Sequence, residues 1–249
     1  MALLDNLISY WKLDQASGNA ADSAGSNTLT NNNTATYSAG KINNAANLVR
    51  ASAQYFSITD GSQTGLDLSS DCTFAGWLNF ASLPDASYDR AILSKADAAN
   101  AERAYMLLAT YNSAGNIRIR FGVSSSAGNF YAENSNANIP VSTSIWYHVV
   151  IVYTAASHSF QTYINGSASG TPVDIVRTSI LNSSQPFILG RKWSTDADNN
   201  FDGSLDEWGI WARALSAADV TSLYNSGLGL SYPFTIPVPS SAAILTALI

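Results

Sequence analysis

The stretch IRIRFGV, residues 117–123, places Ile117, Ile119, Phe121 and Val123 on one side of an extended chain and Arg118 and Arg120 on the other. Successive side chains leave a pleated strand on opposite faces, so a period of two marks a half-buried antiparallel strand. FAGWLNF (74–80), RAYMLLATY (103–111), WYHVVIVYTA (146–155), FQTYING (160–166) and PFILGRKW (186–193) also read as strands, rich in β-branched and aromatic residues. Turn-forming runs separate them: NSAGN before Ile117, TAASHS before Phe160 and INGSASG after Tyr163. Roughly ten to thirteen short strands of this kind predict an all-β fold, an antiparallel sandwich or jelly roll. A single helix interrupts the pattern near the C-terminal end. Ser216 is placed to cap it, with Asp219 at the third position, Val220, Leu223 and Tyr224 on one face, and Gly227 to stop it.

The 249 residues suit one sandwich domain. Charged residues form only 12% of the chain and the net charge is −6, with no Lys/Arg cluster, which argues against a nucleic-acid partner. The lone Cys72 excludes an internal disulfide and any multi-cysteine metal site. No apolar run reaches the ~18 residues of a membrane span. MALLDNLISYWKLD has no basic leader and Asp5 breaks its apolar run, which predicts a chain made in the cytoplasm without a signal peptide.

Four segments stand in a recognisable order: LISYWKLDQASGNAADSAGSNTLT, TFAGWLNF, WYHVVIVYTAASHSFQTYINGSASG and FDGSLDEWGIWARALSAADVTSLYNSG. Together, over about residues 6 to 227, they resemble laminin G-like domains of the concanavalin A-like lectin/glucanase superfamily. The resemblance implies a jelly roll over 1–231 whose first strand, near Tyr10, lies beside the last, near Trp208. It also implies a structural Ca²⁺ where those strands meet, held by Asp22 and by Asp206 or Glu207; hard oxygen ligands suit that ion. The alternative for Asp22, in ADSAG, is a turn closed on its own backbone. The fold itself hosts binding modules, hydrolases and spacers alike.

Strict alternation along LDEWGIW sends Asp206 with Trp208 and Ile210 to one face and Glu207 with Leu205, Gly209 and Trp211 to the other. Glycosidases need two carboxyls facing one cleft, ~5 Å or ~6.5–9.5 Å apart. The chain has only three Glu, at 102, 133 and 207, and none lies in an alternating acidic array, so no catalytic residue is expected. A second metal candidate is DADNNFDGSLDE, where Asp196, Asp198, Asn200, Asp202 and Glu207 match loop positions 1, 3, 5, 7 and 12 of an EF-hand. Phe201 stands where that loop needs Gly, which leaves Asp196, Asp198 and Asn200 as a weaker loop site. Trp193, with Arg191, is a candidate sugar-stacking platform, and Tyr88 and Tyr131 are further ligand candidates.

YPFTIPVPSSAAILTALI, residues 232–249, carries Pro233, Pro237 and Pro239 and ends on Ile244, Leu245, Leu248 and Ile249 without a charge. It reads as an extended arm with an apolar tip that anchors the domain to other protein subunits. The expectation is a noncatalytic recognition or structural module, of a phage-type virion coat, decoration or tail, with glycan as the possible ligand. The alternative is a carbohydrate-active hydrolase or lyase of the same fold.

Overall fold

The computed structural model describes residues 2–235 except 100, 194 and 197. The strands run β1 Leu7–Trp11, β2 Thr30–Asn32, β3 Thr36–Ala39, β4 Asn44–Leu48, β5 Tyr55–Ile58, β6 Cys72–Phe80, β7 Arg90–Lys95, β8 Tyr105–Ser113 and β9 Asn116–Ser124. They continue as β10 Phe130–Asn134, β11 Ile139–Pro140, β12 Trp146–Thr154, β13 Ser159–Ile164, β14 Ser167–Ala168, β15 Val173–Asp174, β16 Phe187–Leu189 and β17 Gly203–Trp211. One sheet has the order β14-β13-β12-β6-β17-β4-β3, with β1 also paired to β17 and β15 to β13. The other has the order β10-β9-β8-β7-β16-β5-β2, with β11 on β9. All named pairings are antiparallel, and the first strand does lie beside the last, with Tyr10 opposite Gly209 and Trp11 opposite Trp208.

The alternation of IRIRFGV is realised in β9: Ile117, Ile119, Phe121 and Val123 enter the core between the sheets. Trp11 of one sheet stacks on Phe187 of the other, 5.2 Å between ring centres and 14° apart in plane. Each buried large apolar side chain contributes ~1.5–3 kcal/mol, so this inter-sheet layer dominates the stability. Cys72 packs there as a small apolar group, its thiol pushed up by burial.

The helix α1, Ala217–Tyr224, forms as its sequence requires. Ser216 Oγ accepts the Asp219 N–H at 3.1 Å while the Asp219 carboxylate accepts the Ser216 N–H at 3.0 Å. Asn225, in the left-handed conformation, ends the helix two residues before Gly227. Val220 and Leu223 join Tyr10, Val150, Val152, Trp211 and Leu215 in a second apolar layer on the outside of the first sheet. Tyr232 and Phe234 pack on this layer too, with Phe234 5.2 Å from Tyr10 and 6.1 Å from Trp211. The first residues of the expected arm therefore belong to the domain, because two aromatic rings gain more by covering Tyr10 than by standing in water. Ile244, Leu245, Leu248 and Ile249 lie outside the described residues.

Candidate functional site

Strict alternation fails at one point of β17. Asp206 is opposite Trp77 on β6 and Gly209 is opposite Ala75, so one extra residue is inserted between them. Glu207 takes that place with φ of +53°, a conformation a non-glycine residue adopts only when its surroundings hold it there. The phase of the strand shifts by one. Leu205, Trp208 and Ile210 all enter the inter-sheet core, while Trp211 turns to the outer layer. Trp208 lies flat over Gly76, where a Cβ would approach its ring to 2.3 Å. Asp206 is thus no longer on the face of Trp208 and Ile210, and Glu207 at the bulge adds negative charge to the surroundings of Asp206. The expected opposition of their side chains is corrected by the bulge.

Both acids are buried, at 0% and 3% exposure. Asp206 Oδ2 accepts the backbone N–H groups of Lys41 (2.8 Å) and Ile42 (3.0 Å), but its Oδ1 and both Glu207 oxygens have no hydrogen-bond partner. Burial pushes Asp206 up to about 8, with Glu207 and Asp14 adding to it against the two N–H donors. Burial likewise pushes Glu207 up to about 7, against the pull of the nearby Tyr10 and Ser231 hydroxyls and of Lys12. Three buried acceptor oxygens outside hydrogen-bond geometry, with only the Tyr10 and Ser231 hydroxyls near Glu207, suit a hard cation or protons. Among the described residues no group of three His, Cys, Asp or Glu side chains gathers into a metal site, so a cation here would take Asp206 and Glu207 and fill its shell with carbonyls and water.

Asp22 does not join them. Its Oδ1 accepts the N–H groups of Tyr10 (2.9 Å), Ala24 (3.1 Å) and Gly25 (2.9 Å), and its Oδ2 that of Asn27 (3.0 Å). Four donors satisfy the carboxylate, which closes the turn and pins it to β1, the alternative reading of ADSAG. The EF-hand pattern is corrected on the same ground. Asp196 is buried and its Oδ1 accepts the Asp198 and Asn199 N–H groups, both at 2.9 Å. Asp202 takes the Arg50 N–H at 3.0 Å and the Ser82 hydroxyl at 2.5 Å, Asp198 faces Arg50 across 4.0 Å, and Asn200 is fully buried. Glu207 sits apart from them at the bulge.

The aromatic candidates do not make one platform. Arg191 is buried, its guanidinium bonded to the Asp196 carbonyl and lying 4.8 Å over Tyr55. Arg103 lies 5.0 Å and Lys192 4.6 Å from the Trp193 ring centre, so cations already occupy ring surface that a stacked sugar would need. Tyr88 is capped by Arg50 at 4.6 Å. Tyr131, on β10, gives its hydroxyl to Glu133 at 2.7 Å and packs inward against the core.

The polar stretch NTLTNNNTATYSAG, residues 27–40, helps to form a cleft. Ser17, Asn19, Asn31, Thr34, Thr36 and Tyr37 line a hollow of about 530 Å³ between the loop after β1 and the β2–β3 turn. Asn31 stitches its walls, donating to Gly18 O and Ala35 O and accepting the Ala35 N–H, and Tyr37 donates to Gly18 O at 3.0 Å. The only signal in the sequence is the aromatic Tyr37 among Asn and Thr. A second hollow of about 550 Å³ is lined by hydroxyls, with Thr28, Thr30, Ser57 and Thr59 beside Asn32. A third, of about 470 Å³, lies between Lys12, Ile42, Leu228 and Tyr232. No carboxylate lines any of the three.

Two antiparallel sheets of this form, with one short helix on the outer face, define a lectin-like jelly roll. A family model described as the concanavalin A-like lectin/glucanases superfamily matches residues 50–221, and the chain belongs to that family. Domain 4 of AbnA, a GH43 extracellular arabinanase from Geobacillus stearothermophilus in complex with arabinotriose, is similar at 23% identity and TM-score 0.61, covering 87% of this chain and 97% of that one. The binding domain of Paraclostridial Mosquitocidal Protein 1 is similar at 19% identity and TM-score 0.70, over 91% of this chain and 53% of that one. Neuronal pentraxin-2 of Cavia porcellus is 26% identical over 96 residues, 36% of this chain and 22% of that protein, so the chain spans about a fifth of the curated relative it matches. Solved structures with this fold also include a Trypanosoma rangeli sialidase, at 15% identity and TM-score 0.60, covering 90% of this chain and 33% of that one. Among the described residues no helix is long and apolar enough to cross a membrane.

Proposed function

We propose that the chain is a noncatalytic recognition module that binds neutral glycan in the cleft of Asn19, Asn31 and Tyr37. The observation that carries this reading is the separation of acids from clefts. The adjacent pair Asp206 and Glu207 is buried beneath Tyr10 and Ser231, while the open hollows offer amides, hydroxyls and one aromatic edge. Such a lining can hydrogen-bond a polyol but supplies no general acid and no nucleophile. The likeness to a domain solved with arabinotriose and to a toxin binding domain supports binding over hydrolysis.

Asp206 and Glu207 are proposed to hold a structural Ca²⁺, which would neutralise the bulge and fix β17 against the loop at Lys41 and Ile42. The module is further proposed to be mounted in a larger, virion-type assembly through residues 236–249. A chain ending at Thr235 keeps Tyr232 and Phe234 on the outer layer, and it should melt as the full chain does while losing incorporation. A glycan array that includes arabinotriose tests the main reading. Binding by the full chain, reduced at least tenfold by Asn31→Ala or Tyr37→Ala in folded protein, is expected; an array blank for every neutral saccharide overturns it.

A further inference from the structure

The second sheet carries an unusual set of charges on its outer face. Ala91 of β7 and Met106 and Leu108 of β8 form a small buried apolar patch, and Trp193 and Phe130 pack at its margin. The loop after β16 is stitched over this patch: Ser94 Oγ donates to Arg191 O at 3.1 Å, Ala91 N–H to Asn199 O at 2.9 Å, and Asp89 N–H to Asn199 Oδ1 at 3.0 Å. These bonds bring Lys192 within electrostatic reach of Asp89 and of Arg120, which lies opposite Leu108 of the patch on β9.

Arg103, also at this margin, is fully engaged: it donates to Asp97 O and Ala98 O and faces the Asp97 carboxylate. Of the other three, Lys192 lies 4.6 Å over the Trp193 ring, and none has a counter-ion in contact. Arg120, Lys192 and Asp89 are each only partly exposed, and they interact electrostatically, yet no ion pair within 4 Å joins them and no side-chain hydrogen bond satisfies them. Arg120 Nε is buried and has no hydrogen-bond partner among the described residues. Burial holds the Lys192 ammonium below its ordinary range, with Asp89 and Asp196 opposing, and holds the Asp89 carboxyl above its own. Half-desolvated charges that stop short of pairing cost free energy, because each has lost water without gaining a counter-ion. Over an apolar floor and beside an aromatic wall, two such cations and one carboxylate form the few convergent polar groups of a ligand site.

We infer that this face is a second binding site, for a saccharide bearing a carboxylate, whose anionic group pairs with Arg120 and Lys192 while its ring hydroxyls donate to Asp89. Arg120 offers a planar fork of donors matched to a carboxylate, and Lys192 a mobile point charge. A neutral sugar would leave both cations unpaired. Asp89 repels a second anion and accepts hydroxyl protons, which selects a sugar acid over a simple polyanion. The inference deepens the reading of the chain as a glycan-recognition module, and it concerns residues remote in sequence from the Asn19–Asn31–Tyr37 cleft.

The test is a titration of the full chain with D-galacturonate and, separately, with its methyl ester, followed through the Trp193 indole N–H by NMR, assigned with Trp193→Phe. The acid should shift that resonance saturably, the ester at least tenfold more weakly. Lys192→Gln, in a half-buried loop position, and Arg120→Gln should each weaken the acid at least tenfold, with the spectrum of the inner core unchanged. Equal response to acid and ester, no response to the acid, or an unchanged affinity in folded Lys192→Gln overturns the inference. Binding of arabinotriose in the Tyr37 cleft is read from different resonances and stands or falls separately.

Discussion

Replacing Glu207 by Gln keeps the shape of the side chain and removes its charge, which makes it the sharpest probe of the bulge. Burial holds the folded carboxyl at about 7, against an ordinary value of 4.5. A group raised on folding lends its full stability below the ordinary carboxyl range and loses it as pH rises through about 7. At ~1.36 kcal/mol per pH unit, the wild-type protein should lose roughly 3 kcal/mol from this group between pH 4.5 and pH 8.5 when divalent cations are chelated. The Gln variant has nothing to ionise there. Denaturant unfolding should therefore find the two proteins alike near pH 4.5 and Glu207→Gln the more stable by roughly 3 kcal/mol at pH 8.5, or about 6–12 °C in Tm for a chain of this size. Calcium at ~100 times its dissociation constant should return ~2.7 kcal/mol to the wild type and little to the variant. Stability profiles that run parallel from pH 4.5 to pH 8.5, with calcium acting equally on both, would refute the argument that these oxygens are buried without partners.

Three further perturbations follow from the same physics. His148 is buried between Trp77, 5.0 Å away, and Tyr224, with its Nδ1 unpartnered, and burial pushes it down to about 3. The unfolded imidazole takes its proton near 6.5, so folding stability should fall as pH drops below that, by about 3 kcal/mol at pH 4.5; His148→Phe should abolish this part of the acid loss in denaturant titrations. Lys95, fully buried, holds Asp60 at 2.6 Å, Asp67 at 3.0 Å and the Gln185 carbonyl at 2.8 Å, tying the loop after β5 to the one before β16. Lys95→Met should cost about 3–5 kcal/mol by urea unfolding, because the acceptors are left without their cation. Asp22→Ala should cost about 2 kcal/mol through four unanswered N–H groups, with the calcium response of the melting curve unchanged.

The alternation of IRIRFGV, the capping pair Ser216 and Asp219, and the neighbouring of first and last strands were all legible in the sequence, because each is a local pattern or follows from the family resemblance. The bulge was not. Nothing in LDEWGIW announces a non-glycine residue with positive φ, and one inserted residue reverses the facing of Leu205 and Asp206 relative to the residues after it. Asp22 was a ligand candidate on the family resemblance, but a carboxylate between Ala and Ser is equally a turn former, and only the positions of Tyr10 and Asn27 decide which. Trp193 was legible as a loop aromatic, but the cations over it come from Lys192 and from Arg103, ninety positions earlier in the chain. The burial of Lys95, inward-facing on β7, leaves no local signal, since its acidic partners Asp60 and Asp67 lie on a separate loop.

Native mass spectrometry of the protein with arabinotriose tests the claim of recognition without cleavage most directly, since one spectrum weighs both the complex and the free sugar. A complex with the mass of intact trisaccharide, persisting after prolonged incubation with no shorter sugar in solution, is the predicted result. Accumulation of mono- and disaccharide that ceases in Glu207→Gln would contradict it.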